Sequence, residues 1–167
     1  MINTAQGMGG SGGRIEALQE LTSDGVPLVG VNVAGAFLQR IELPKAGLLR
    51  ADFSGADVRN SRFDAADLSY ADLHSANFRE SSLIGASLQN ADLSDADFCR
   101  ADLSHSDLAG AKLDGAELGG ANLSDVQWRN IRSIKGANLH AARNASREFL
   151  AWAAQHGAVD QANPDCQ

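Results

Sequence analysis

The chain has 167 residues, the length of one domain, and carries a formal net charge of −7 with a pI near 4.9. That balance disfavours nucleic acid or an anionic membrane surface as a direct partner and makes a basic surface the natural complement. Aromatic residues are only 5% of the chain while Ala, Leu, Asp, Ser and Gly dominate, a skew that is unusual for a compact core and points to a repeat.

Residues 1–13 are glycine-rich. Gly7-Met8-Gly9-Gly10-Ser11-Gly12 fits the spacing of a dinucleotide-binding turn, but no strand precedes it and glycines surround it, so a flexible tail is expected. The segment also lacks the basic start and apolar stretch of a leader, and no run in the chain approaches the ~18 apolar residues needed to cross a bilayer. Over residues 14–25, Ile15, Leu18 and Leu21 recur at spacing three with charges between them, and Asp24-Gly25 follows, which predicts a short capping helix.

From Val26 the chain is periodic. Every fifth residue from Leu28 to Trp128 is large and apolar, twenty-one in succession, and two places before each stands a small or β-branched residue, polar only at Ser61, Ser81 and Ser106. Such self-similarity decides the architecture before any single element is assigned. An α-helix is excluded, because five residues advance about 500° and the leucines would circle it. A straight strand is excluded as well, since an odd period moves them to the opposite face at every step. The chain must turn once per repeat. Each unit reads as a three-residue extended piece with its two apolar ends inward and its middle residue outward, then a two-residue corner such as Ser54-Gly55, Asp114-Gly115 or Gly119-Gly120.

Ala71-Asp72-Leu73-His74-Ser75 and Ala91-Asp92-Leu93-Ser94-Asp95 resemble the Ala-(Asp/Asn)-Leu-X-X consensus of the pentapeptide-repeat family, and the resemblance extends from Val26 to Trp128. It implies an all-β solenoid, a right-handed quadrilateral β-helix in which four repeats make one coil. Twenty-one repeats then give about five coils and a rod about 25 Å tall at the usual strand spacing.

The β-helix is expected over residues 26–143, with a phase slip near 129–136, because Ala137-Asn138-Leu139 follows Trp128 one residue late. A bulge or a recognition loop would each account for the extra residue. Arg129, Arg132, Lys135, Arg143 and Arg147 make this stretch basic. Residues 144–157 predict a second helix, with Asn144 or Ser146 as N-cap and Gly157 as its stop, carrying Phe149, Leu150 and Trp152 as a cap over the open end or as a dimer contact. Residues 158–167 are expected to form a flexible tail.

No chemistry stands out. His74, His105, His140 and His156 are scattered, and Ser104-His105-Ser106-Asp107 contains the letters of a catalytic triad only as neighbours in sequence. Cys99 and Cys166 lie far apart and suggest neither a disulfide nor a paired metal site, which points to a reducing, cytoplasmic setting. No catalytic residue, metal or cofactor is assigned. The middle position is often acidic, and at twenty residues per coil Asp52, Asp72 and Asp92 stack into one stripe, either a binding surface or simple solvation. The expected function is a non-enzymatic scaffold for an unidentified protein partner, with direct nucleic-acid and membrane binding excluded. Resemblance to the quinolone-resistance branch of the family implies an alternative, an acidic mimic of duplex DNA that binds a type II topoisomerase such as gyrase, in a homodimer joined at the C-terminal ends; an enzyme or ligand carrier is the further alternative.

Overall fold

A computed structural model describes residues 13–166. Apart from Gly13, the glycine-rich start lies outside the described residues. The middle residue of each unit pairs in parallel with the one twenty residues later: Asn32 with Asp52, Phe37 with Asp57, Glu42 with Arg62, Gly47 with Asp67. Four consecutive units thus meet four different partners before the register repeats, which makes the solenoid four-sided. Each rung is a reciprocal backbone pair. The Asp52 N–H donates to the Val31 carbonyl at 2.8 Å, and the Val33 N–H donates to the Asp52 carbonyl at 2.8 Å.

The corners obey one rule that the turn composition only partly discloses. Except before Ser61, whose N–H donates to Ser81 Oγ, a corner closes with a hydrogen bond across three residues, as from the Ala36 N–H to the Val33 carbonyl at 3.0 Å. Its second residue has positive φ, and glycine is not required there: Arg40, Tyr70, Glu80 and Arg100 adopt φ of 62°, 59°, 58° and 59°. An L-residue in this region costs about 1–2 kcal/mol. The conformation persists because the ladder fixes the backbone on both sides of the corner.

Inside, the leucine and phenylalanine positions and their alanine partners form one continuous buried core. Phe53, Phe63, Phe78 and Phe98 make successive ring contacts with centroids 5.7, 5.5 and 5.0 Å apart. The three inward serines differ in how they are satisfied. Ser61 Oγ accepts from the Ile41 N–H, and Ser81 Oγ accepts from the Ser61 N–H while donating to the Val58 carbonyl at 2.7 Å. Ser106 Oγ is buried without a hydrogen-bond partner among the described residues. Ser106→Ala, which restores the residue usual at this position, is expected to stabilise the protein by about 1 kcal/mol. For a domain of this size that is a rise of roughly 2–4 °C in Tm by calorimetry, whereas a fall would mean that the hydroxyl has a partner in solution.

The ladder runs past Trp128, where the count of about five coils ended. Lys112 pairs with Ser133, Glu117 with Asn138 and Asn122 with Arg143, all at a spacing of twenty-one. The extra residue is a bulge: the Arg132 N–H donates to the Ala111 carbonyl and the Ser133 carbonyl accepts from the Leu113 N–H, so two residues stand opposite Lys112. Ile131 and Ile134 both still point inward.

Helix α1, Arg14–Ser23, buries Leu18 in the core. It ends where Gly25, at φ 71°, lets the Val26 N–H reach the Leu21 carbonyl. Helix α2, Arg147–Gln155, starts at Ser146, whose Oγ accepts from the Phe149 N–H, and buries Phe149 and Ala153. The reading of residues 158–167 as a flexible tail is corrected over the described part. Val159 pairs with Asn138, the Leu139 N–H donates to the Val159 carbonyl at 2.9 Å, and Pro164–Cys166 forms a 3-10 turn. This strap lies along the side of the rod because an unpaired upper rung was open to receive it.

Candidate interaction surface

The structure places Asp52, Asp72 and Asp92 in one column, as consecutive bridge partners. It also shows why this repeat favours Asp or Asn at the position. One side-chain oxygen accepts the backbone N–H two residues on, from Ser54 at 3.0 Å, His74 at 3.0 Å and Ser94 at 2.9 Å, and Asn77, Asn122 and Asn138 act alike. The carboxylate is therefore first a corner-closing group. The remaining oxygens face outward, but the column is bounded: Asn32 donates to Asp52 from below at 2.9 Å, and Lys112 lies 3.5 Å from Asp92 above. The acidic stripe is thus three residues long, between an amide and an ammonium.

Three middle-position carboxylates titrate below their ordinary value of 3.8. At Asp57 the main cause is the Arg59 guanidinium, which binds it through Nε and Nη2 at 2.9 and 2.8 Å. At Asp92 and Asp102 burial is the largest influence and acts upward, but hydrogen bonds from Ser94 and Ser104, with Lys112 and Asn122 beyond them, outweigh it. A folded pKa below the unfolded one favours the native state while the group is ionised. Stability from these groups is therefore fully present above the unfolded value of about 3.9 and is lost as pH falls through the lower folded values. Thermal melts are expected to hold steady from neutrality to about pH 5 and to decline below about pH 4. A decline starting near pH 6 would show that these carboxylates do not set the acid limit.

Three of the histidines lie beside carboxylates of neighbouring courses: His74 by Asp95 at 3.9 Å, His105 by Asp125 at 3.8 Å, His140 by Asp160 at 2.7 Å. His156 stacks on Trp152, and its Nδ1 is 2.7 Å from the Trp152 carbonyl. The structure brings no two histidines into one constellation among these contacts.

At the C-terminal end, Phe149 and Trp152 both turn onto Trp128, with centroids 5.6 and 5.4 Å away. Of the three residues singled out there, only Leu150 faces outward, at 38% exposure. It borders a shallow apolar cleft with Leu139, Ala142, Ala154 and Val159. In the basic stretch, Arg129 is paired with Glu148 at 2.9 Å and Arg143 donates to the Gly120 carbonyl at 2.9 Å.

The reading of the cysteines is overturned. Cys99 and Cys166 form a disulfide with Cα atoms 5.1 Å apart, inside the usual range. A separation of 67 residues hid the pair, since only the returning strap brings the chain end down to the corner after Asp97. The thiol content therefore no longer argues for a reducing compartment. Asp97, beside the two sulfurs, is itself engaged by Arg79 at 3.0 Å and by the Cys99 N–H at 2.9 Å.

The family model for pentapeptide repeats matches residues 28–64, 46–85, 61–98 and 91–127, in eight copies. No curated protein matches the chain. Among solved structures it is similar to a pentapeptide repeat protein of the Arabidopsis thaliana thylakoid lumen, at 22% identity over 83% of this chain and 81% of that one, with a TM-score of 0.44. It is similar also to Rfr23 of the cyanobacterium Cyanothece 51142, at 26% identity over 70% and 89%, TM-score 0.49. A further similar chain is QnrB1, a plasmid-mediated fluoroquinolone resistance protein, at 16% identity over 79% and 76%, TM-score 0.40.

Proposed function

Because the chain belongs to the pentapeptide repeat family, whose fold is the right-handed quadrilateral β-helix, we propose that it is a rigid, non-enzymatic scaffold that binds a protein partner through outward columns of its faces. The observation that carries this reading is the register of those columns. Asp52, Asp72 and Asp92 are held by the ladder one strand spacing apart, about 4.8 Å, and by corner hydrogen bonds that fix each carboxylate. A surface already ordered in this way loses little conformational entropy on association. Its negative charge selects a basic patch on the partner, and the setting remains cytoplasmic in this reading.

The test is affinity capture from the native host with the intact chain and with a variant carrying Asp52→Asn, Asp72→Asn and Asp92→Asn. Asn preserves the corner hydrogen bond and removes only charge. A partner retained by the first and lost by the second supports the acidic column, and equal retention moves the contact to another face. Recovery of a topoisomerase subunit would favour the DNA-mimic alternative, against which the short stripe, bounded by Asn32 and Lys112, already weighs.

A second reading, a homodimer through the C-terminal end, draws on exposed Leu150 and its apolar cleft. Sedimentation should then show a dimer that Leu150→Asp dissociates without loss of fold. Trp152→Ala is the poorer test, since Trp152 packs on Trp128 within the chain.

A further inference from the structure

We propose that Cys99 and Cys166 are a reversible thiol–disulfide latch that fastens the C-terminal strap to the side of the rod. The strap has two unequal parts. Up to Gln161 it is held without any covalent link: Gly157 and Val159 make backbone hydrogen bonds to Gly136, Leu139 and Ala137, His140 binds Asp160, and Asn138 holds both the N–H and the carbonyl of Gln161. Beyond Gln161 the hold is slight. Asn163 Nδ2 reaches Glu117 Oε2 at 3.3 Å, and Ala162, Pro164 and Asp165 are exposed. The disulfide is the anchor of that last stretch, and the stretch can lift without opening a rung of the ladder.

The other half of the latch is rigid. Cys99 is fully buried at a corner whose backbone groups are engaged, its N–H by Asp97 and its carbonyl by the Glu80 N–H. The next corner above is shaped for the strap. A Cβ at Gly119 would lie 2.8 Å from both Cβ and Sγ of Cys166. Gly119 is not among the residues with positive φ, so the backbone does not demand glycine there, and the clearance for Cys166 does. The corresponding corner position on the courses below and above carries Arg79, Cys99 and His140, all with side chains.

The chemistry balances with a dithiol as reductant. Its thiolate attacks Sγ of Cys166, the less buried of the two residues, and the S–S bond breaks as Cys99 leaves as a thiolate that takes up a proton. The reductant's second thiolate then displaces Cys166, so that two electrons pass to the chain and the reductant becomes a disulfide. Closure is the reverse, with a small-molecule disulfide accepting the two electrons. Opening uncovers the Cys99 thiol, the flat Gly119-Gly120 corner and the Glu117 carboxylate.

The intact chain should be oxidised with glutathione disulfide, then treated with dithiothreitol under native conditions, and followed by thiol alkylation with mass spectrometry and by amide hydrogen exchange. The expected result is no alkylation before reduction and two alkylated cysteines after it, with faster exchange confined to residues beyond Gln161. Cys166→Ser should show the same exchange pattern without reductant. Gly119→Val should keep the circular dichroism of the parent while its oxidised-to-reduced ratio in a fixed glutathione buffer falls at least tenfold. Free thiols after oxidation would overturn the proposal. So would a disulfide that dithiothreitol reaches only once the coils unfold, or exchange that rises throughout the repeats on reduction.

Discussion

Leu88→Asp is expected to yield no soluble folded protein. Leu88 is completely buried in the continuous core, with rungs above and below it. Truncating such a leucine alone costs about 2–5 kcal/mol, and the carboxylate that replaces it has no partner, which adds several kcal/mol or forces it to remain protonated. The sum is comparable with the whole stability of a domain, about 5–15 kcal/mol. Gln89→Asp, one residue along, is the control. Gln89 is exposed, but its side-chain amide donates to Asp107 Oδ2 at 2.6 Å, so the new charge meets a carboxylate across the corner and should cost about 0.5–1 kcal/mol. Soluble expression and urea melts compare the two, and equal stability would remove the inward assignment of the leucine column.

Ending the chain at Arg143 should convert a dispersed protein into one that associates. The truncation removes Phe149 and Ala153, both buried against the last course, and bares Trp128, on which Phe149 and Trp152 rest. It also strips the top rung of its partners, leaving the N–H groups of Gly136 and Leu139 without the Gly157 and Val159 carbonyls. An apolar layer and an unpaired strand edge together form a template for a second copy. Light scattering should show large or polydisperse species, and Phe149→Ala, which retains the helix and strap, should lose about 3–5 kcal/mol of stability. A truncated chain that remains monomeric and soluble would show that α2 does not serve as a lid.

Much of this was legible in the residues. An unbroken five-residue period of large apolar side chains admits neither helix nor straight strand, so the turning coil, the inward leucines and the outward aspartates follow from side-chain periodicity alone. Helices α1 and α2 could be placed by their stop signals, Gly25 and Gly157, because a left-handed residue after a helix is a local matter of backbone sterics. The stacking of Asp52, Asp72 and Asp92 followed once four repeats were assigned to a coil.

Tertiary structure decided what depended on distance through space. That the middle aspartates also close their corners rests on a 3 Å contact to the residue two places on, shown at Ser54, His74 and Ser94. Phe149 and Trp152, read in sequence as one apolar surface with Leu150, are separated from it by their turn onto Trp128. The residues after Gly157 looked like a tail because a single strand of ordinary composition carries no mark of its partner, and Val159 finds Asn138 only because the last course leaves a rung open. Cys99 and Cys166 are the extreme case: nothing in their 67-residue separation signals a bond, and it takes the coil, the returning strap and the missing side chain at Gly119 to bring two sulfurs to one corner.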